Sequence, residues 1–445
     1  MQPALIEKYA APVPRYTSYP TAPHFTPTVD AATYAAWLSE LPVADALSLY
    51  LHVPFCDTLC WYCGCSTKAT QRYEPVAAYA DVVLREITTV ASHVPTRMDV
   101  AHVHWGGGSP NVFNPADIRR VGDALRAAFA FRPDVEFAVE IDPRELSPEQ
   151  VDSFAAIGVT RLSVGVQDFD EAVQVAINRR QSFETTQRAM ELFRSRGVRS
   201  VNVDLVYGLP HQTVASVERT IRQVIELGPD RIALFGYAHL PSRFAHQRLI
   251  PDEALPGPVE RFAQSTRLAH ILGEAGYVRI GLDHFAKRTD DLATQTLRRN
   301  FQGYTTDAAG ALLGFGATAI GKLPQGFVQN AVATADYKRR IDAGELATVR
   351  GRALTRDDRV RAFVIERLMC DLTFSTPALR AEFGAAADAV IAEAEALVES
   401  DIDGLVTSSA DGFEVTEQGR PFIRTLCATF DTYLSGGTAR HSSGV

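Results

Sequence analysis

The chain has 445 residues, 46% hydrophobic and 22% charged, which suits a large globular domain with a smaller one attached and excludes fibrous or disordered classes. Its net charge of −9 works against general attraction to nucleic acid or to an anionic membrane surface. No apolar run reaches membrane-spanning length, and the opening MQPALIEKYAAPVPRYTSYP lacks a basic segment followed by an apolar core, so the expectation is a cytoplasmic protein that acts as a monomer.

Residues 1–47 are rich in Pro and Tyr and carry one helical stretch near 30–40. Then a unit recurs: a short apolar strand, a loop and an amphipathic helix. The strands are expected at 48–53, 100–105, 135–141, 160–166, 200–207 and 231–237, with helices such as 76–92, 115–130 and 213–227 between them. Strict alternation implies parallel pairing through right-handed crossovers. The strands read as nearly all apolar, as when both sheet faces are covered. Six units fall short of a closed eight-fold barrel, so the expected fold class is α/β, a partial (β/α)6 TIM-like barrel over 48–335. A seventh element near Tyr277–Ile280 is expected to extend it. Residues 336–445 form the expected C-terminal domain, mainly helical and winged-helix-like. It has helices at 355–372 and 376–400 and a strand–turn–strand–helix run after them. Its acidic residues argue against DNA binding and for a packing or lid role.

Four of the six cysteines crowd into 56–65. Cys56, Cys60 and Cys63 follow Cys-x3-Cys-x2-Cys. Three thiolates hold three irons of a 4Fe–4S cluster and leave the fourth iron open to a small ligand, so these three are the candidate metal ligands. A zinc site commonly needs a second ligand pair, which the chain lacks. A thioredoxin-like reading of Cys60-Trp61-Tyr62-Cys63 competes, but Cys56, Cys65 and the following glycine loop count against it. Cys65 is expected to line the site. Cys370 and Cys427 sit in apolar helical patterns and read as buried small hydrophobes.

Chemistry in parallel α/β folds gathers at the C-terminal ends of strands. There the chain places the cysteine loop, HWGGGSP (104–110), Glu140 to Arg144, Gln167-Asp168, Asp204 with Tyr207 to Pro210, and Tyr237 to His239. Gly106 to Gly108 let the backbone approach a ligand closely, or simply make a tight turn. Glu140 and Asp204 lie in strands expected to be buried, where a carboxylate needs a partner. A ligand would satisfy them, as would structural pairing with Arg144 or Arg161. Arg179, Arg180, Arg243, Lys287, Arg298 and Arg299 are candidate binders of a polyanion, each also readable as a solvated surface charge.

Taken together, these residues resemble the radical S-adenosylmethionine (SAM) superfamily. More narrowly, the chain is similar to the oxygen-independent coproporphyrinogen III oxidase (dehydrogenase) family of heme biosynthesis. PRYTSYPTA (14–22), HVPFC, CGC, HWGGGSP, EIDPRE, RLSVGVQDF, NVDLVYGLP, YAHLP, DHFA, RNFQGYTT, LTRDD and CATFDTYL (427–434) carry that resemblance in order. It implies that Cys56, Cys60 and Cys63 ligate the cluster, with Cys65 an extra, non-ligating cysteine. It implies two SAM molecules, one at Tyr50, Gly107, Glu140 and Ile320. The other lies among Tyr62, Gly108, Ser109, Gln167, Arg179, Asp204 and Ala238. Ser109 stands where threonine is common, and Ser66 where asparagine is. The implied reaction turns two propionates of coproporphyrinogen III into vinyl groups, giving protoporphyrinogen IX. A SAM-derived 5′-deoxyadenosyl radical starts it, and each turn loses carbon dioxide and one electron. The implied partners are the substrate, an electron donor and a terminal electron acceptor. Two alternatives remain: a heme-binding chaperone on the same barrel, and a radical-SAM enzyme with another substrate. The chaperones usually lack the N-terminal segment and the Gly-Cys after the third cysteine, both present here.

Overall fold

Six parallel strands form the centre of the computed structural model, which describes residues 3–434. The end of the expected C-terminal domain, 435–445, lies outside the described residues. The strands are β1 (Leu47–Val53), β2 (Asp99–Gly107), β3 (Ala130–Ile141), β4 (Arg161–Gln167), β5 (Ser200–Tyr207) and β6 (Arg231–Gly236), and at least one helix follows each. They pair in chain order, β1 through β6, all parallel. The fold is α/β, an open six-unit barrel, as the alternation requires. Helix starts are written locally. Asn114 caps Pro115–Ala128 by accepting from the Asp117 amide at 2.8 Å. Ser147 and Thr213 form capping boxes with Gln150 and Ser216.

The flanks differ from a simple six-strand expectation. A seventh parallel strand, Ala311–Phe315, pairs with the outer edge of β1. Beyond it run three antiparallel strands, Ile320–Leu323, Gly326–Asn330 and Thr348–Ala353. The sheet thus continues past residue 335, the boundary expected for the barrel, to Ala353. At the other edge, Tyr277–Ile280 joins through His284–Lys287, both antiparallel. The element expected near Tyr277–Ile280 is thus present as an edge strand, whereas the other flanking strands are short with little alternation and carry a weak sequence signal. The expected helix 376–400 is two, Thr376–Phe383 and Asp388–Ser400, because Gly384 breaks it at φ 60°. A third strand, Thr373–Ser375, completes a sheet with Val406–Ser409 and Gly412–Val415. Among the described residues no helix is long and apolar enough to cross a membrane.

The strands are not apolar on both faces, contrary to expectation. Leu51, Trp105, Val139, Leu162 and Val201 share one face in register and sit in the buried core with the surrounding helices. The opposite face is polar. Ser48, His102 and Glu136 align across β1–β3, and Glu140, Ser163, Asn202 and Arg231 across β3–β6. A period-2 pattern of this kind is a barrel with an apolar coat and a polar lumen.

One buried carboxylate ties the outer flank to the barrel. Glu86, 1% exposed, accepts from the Gly316 amide (2.6 Å), Asn330 Nδ2 (2.7 Å) and the Tyr337 hydroxyl (2.6 Å). Burial raises its carboxyl to about 7, against these donors. Glu86→Ala strands three buried donors and is expected to cost about 3–5 kcal/mol in denaturant unfolding. The folded pKa lies above the unfolded one, so the folded chain holds the proton more tightly and Glu86 stabilises most at low pH. The stability gap between wild type and variant therefore narrows as pH rises from about 4.5 to about 7.

Candidate active site

The cysteine loop leaves β1 and is pinned on three sides. The Trp61 amide donates to Ile177 O (2.9 Å) and Asn178 Nδ2 to Leu59 O (3.0 Å), tying it to the region after β4. His246 Nε2 donates to Cys63 O (2.7 Å), and Gln247 Nε2 to Tyr62 O (3.0 Å) and Ala238 O (3.3 Å), tying it to the loop after β6. The amides of Gly108 and Ser109 donate to Val53 O and Phe55 O, each at 2.8 Å. All four thiols of the loop are free; Cys60 is buried and Cys65 exposed. Cys370 and Cys427 are buried in helices, as their patterns indicated.

Behind Cys60 stands a charged triad. Asp142 Oδ2 accepts from Arg144 Nη2 (2.6 Å) and Arg179 Nη1 (3.0 Å). The two guanidiniums also approach Cys60 Sγ, at 3.7 and 3.6 Å. Burial opposes ionisation of Asp142, but Arg179 and Arg144 hold its carboxyl down to about 2. Two cations aimed at one sulfur suit a thiolate that carries negative charge, as a cluster ligand does. Among the described residues no three His, Cys, Asp or Glu side chains close round one metal ion. A 4Fe–4S cluster makes a different demand, one iron for each thiolate.

The first expected group is contiguous. Tyr50 aligns with His104 on one side and Gly314 on the other, and a Cβ on Gly314 would lie 2.9 Å from Ile320 O. His104 Nε2 donates to Glu140 Oε1 (2.9 Å), and the Gly107 amide to Glu140 Oε2 (3.2 Å). Burial opposes ionisation of Glu140, yet His104 and the Gly107 amide more than offset it, and its carboxyl stays below the usual range. Glu140 thus pairs with neither Arg144 nor Arg161. His52 Nε2–H donates to Ser66 O (2.9 Å), which leaves Nδ1 to accept from the Tyr50 hydroxyl (3.0 Å).

The second expected group also falls together. A Cβ on Gly165 would meet Gln167 Nε2 at 2.9 Å and Arg179 Nη2 at 3.2 Å, and Gly165 aligns with Asp204. Asp204 accepts from Asn202 Nδ2 (2.8 Å) and Ser163 Oγ (3.1 Å). Burial first, then the charge of Glu140, lifts its carboxyl to about 6. Tyr62 and Ala238 share Gln247 through their carbonyls. Ser109, where threonine is common in the family, turns its hydroxyl into the protein. It is 3% exposed, and its Oγ donates to Asn111 Oδ1 and accepts from the Asp142 amide. Gly108 meets the loop itself, since its Cβ would sit 2.4 Å from Phe55 O.

A cavity of about 410 Å³ opens beside the loop, with Cys65 on its wall. Arg15, Arg261, Arg279, Arg299 and Arg424 line it, and Asp283 is the acid among them. Of the six basic residues singled out from sequence, Arg299 alone lines this cavity. Lys287 pairs with Asp230 (2.9 Å), Arg298 with Glu366 (3.6 Å) and Arg179 with Asp142 (3.0 Å). Arg180 lines a separate open pocket, and Arg243 lies over the Phe244 ring. His52, His104 and Asp142 lay inside motifs visible in the sequence. The other four arginines had no shared signal.

Residues 50–224 match the Radical SAM superfamily, and residues 354–422 the HemN C-terminal domain. The chain is 49% identical to the oxygen-independent coproporphyrinogen III oxidase of Bradyrhizobium diazoefficiens, covering 97% of each. It is 42% identical to the enzyme of that name from Paracoccus denitrificans, covering 98% of this chain and 97% of the relative. The solved coproporphyrinogen III oxidase (HemN) of Escherichia coli, described as a radical SAM enzyme, superimposes with a TM-score of 0.91. The identity is 39%, over 97% of this chain and 99% of that one.

Gly107 tests how tightly the glycine loop is built. It holds φ 113°, and a Cβ would stand 2.7 Å from the His52 ring. Gly107→Ala is expected to cost about 1–3 kcal/mol in strain, read as a lowered melting temperature. Iron retained after anaerobic reconstitution and desalting should fall with it, because His52 anchors Ser66 in the cysteine loop.

Proposed function

Because the chain belongs to the oxygen-independent coproporphyrinogen III oxidase family and is a radical SAM oxidoreductase, we propose that it converts two propionates of coproporphyrinogen III to vinyl groups, giving protoporphyrinogen IX. Cys56, Cys60 and Cys63 would hold a 4Fe–4S cluster, which with SAM would supply the one-electron chemistry by which each propionate loses a β-hydrogen, carbon dioxide and one electron. The proposed reaction therefore needs an electron donor at the start and an acceptor at the end.

The residues have matching tasks. Glu140, kept ionised by His104 and the Gly107 amide, presents a carboxylate for the amino group of a SAM that lies along Tyr50, Gly107 and Ile320. A second SAM is placed among Tyr62, Gly108, Gln167, Arg179, Asp204 and Ala238. Ser109 then contributes backbone, its hydroxyl being engaged with Asn111 and Asp142. Residues 1–47 act as a cover, because Arg15 and Thr17 reach the cavity wall. The observation that carries the reading is the adjacency of the cysteine loop, with Cys65, to a cavity lined by five arginines. The N-terminal segment that brings Arg15 to the cavity and the Gly64-Cys65 pair after Cys63, both usually lacking in heme-binding chaperones on this barrel, favour the oxidase.

Anaerobic incubation with coproporphyrinogen III, SAM and a reductant is expected to yield carbon dioxide and a divinyl product. An intact cluster that cleaves SAM without forming that product would assign the chain another substrate. Cys60→Ser should remove both the cluster absorbance and SAM cleavage. Asp204→Ala should slow product formation at least about tenfold with the cluster spectrum unchanged.

A further inference from the structure

We propose that the cavity beside Cys65 is a polycarboxylate-binding chamber in which Arg261 and Arg279 read the substrate's carboxylates, an assignment that rests on the function proposed above. Arginines held within a protein normally meet carboxylates, because an unpaired buried charge is costly. Elsewhere in this chain they do: Arg231 meets Asp290 at 2.8 Å, and Arg361 meets Glu393 at 2.8 Å.

Around the chamber the pattern changes. Arg15, Arg261, Arg279 and Arg299 form no ion pair among the described residues. Arg15 Nη2 donates to Gly236 O (3.0 Å), Arg279 Nη2 to Leu282 O (2.8 Å) and Arg299 Nε to Tyr16 O (3.2 Å). These neutral carbonyls orient a guanidinium without cancelling its charge. Arg299 Nη1 is buried with no partner. Among the described residues the Arg261 guanidinium makes neither an ion pair nor a hydrogen bond, its backbone amide alone donating, to Gly257 O at 2.9 Å. It lies over the Tyr207 ring, 5.8 Å from the centroid, and lines the cavity. Asp283, the acid on the wall, is already engaged by His284 Nδ1 at 2.8 Å.

Burial lowers the proton affinity of Arg15, Arg261 and Arg279. An arginine nevertheless stays charged, so a wall with Arg261 and Arg299 half-buried, Arg15 and Arg279 exposed and Asp283 as its acid carries net positive charge. Bidentate pairing with carboxylates relieves it. The arginines come from the N-terminal segment, the helix after β6, the edge hairpin, the short strand Arg298–Asn300 and the C-terminal domain. Carboxylates spread around the rim of a large ring fit such a ring of cations better than one small anion does. A cavity of about 410 Å³ falls within the usual range for bound small molecules. Thr17, Arg299 and Phe301 also line a neighbouring cavity of about 370 Å³, so the two share a wall.

The test uses the oxidised, air-stable coproporphyrin III as probe, with its tetramethyl ester as the uncharged control. Binding to the anaerobically reconstituted protein is followed by porphyrin fluorescence at low and high salt. Wild type is expected to bind the acid, with affinity falling as salt rises, and to bind the ester at least tenfold more weakly. Arg261→Gln and Arg279→Gln should each weaken the acid by about tenfold while keeping the wild-type melting temperature. Acid binding by wild type that both variants leave unchanged, or an ester that binds as tightly as the acid, overturns the chamber and leaves the function standing. A wild type that cleaves SAM yet binds no coproporphyrin III overturns the substrate reading, and the chamber with it.

Discussion

A polar strand face turned into a barrel lumen governs the rest of this molecule. Each inward residue must find a partner, because an unpaired polar group away from water costs more than a hydrogen bond returns. The barrel meets that demand in tiers. Near the strand starts, Glu136 meets Arg161 at 3.3 Å and Arg231 at 4.0 Å, and Asp307 accepts from Ser48. Higher up, Asp204 takes Ser163 and Asn202. At the rim, Glu140 takes His104 and a glycine amide. The lumen's carboxylates are therefore held in place by protein partners.

The rim depends on that order. The glycine loop approaches both Glu140 and the cysteine loop so closely that side chains at 106, 107 and 108 would collide with Glu140, His52 and Phe55. Backbone bonds from Gly108 and Ser109 then align it with the loop that carries the thiols. The Asp142 triad sets the charge behind Cys60. Strand register, glycine conformation and electrostatics thus act on the same few ångströms, which is where preorganisation matters most to catalysis.

The two domains meet at the chamber. The N-terminal segment is held by both: Tyr16 bonds Asp431 at 3.0 Å, Arg424 Nε bonds Pro14 O at 2.9 Å, and Thr26 pairs with Gly351 of the sheet edge. Tyr16 and Tyr19 pack in the core of the C-terminal domain, while Val29, Tyr34 and Leu38 pack in the core of the barrel. The segment that carries Arg15 to the cavity is thereby the tie between the domains. The C-terminal domain contributes Pro421 and Arg424 to the cavity wall.

The sequence by itself determined the six β/α units, the helix caps and the cysteine spacing, because each is local: a residue's period, its cap or its distance along the chain is legible within a few positions. It also carried the tyrosine, glycine and carboxylate positions of the rim, since parallel strands deliver their ends to one side. It misled where local pattern is ambiguous. SLYLHV reads as apolar until its alternation places Ser48, Tyr50 and His52 on one face. The Ala-rich stretch after 376 reads as one helix until Gly384 divides it. Only tertiary structure decided the antiparallel strands from Ile320 to Ala353, the His104 partner of Glu140 and the arginine wall. Arg15 and Arg424 stand near opposite ends of the chain and face one cavity. No periodicity links them, because what brings them together is the packing of three segments rather than any property of their neighbours in sequence.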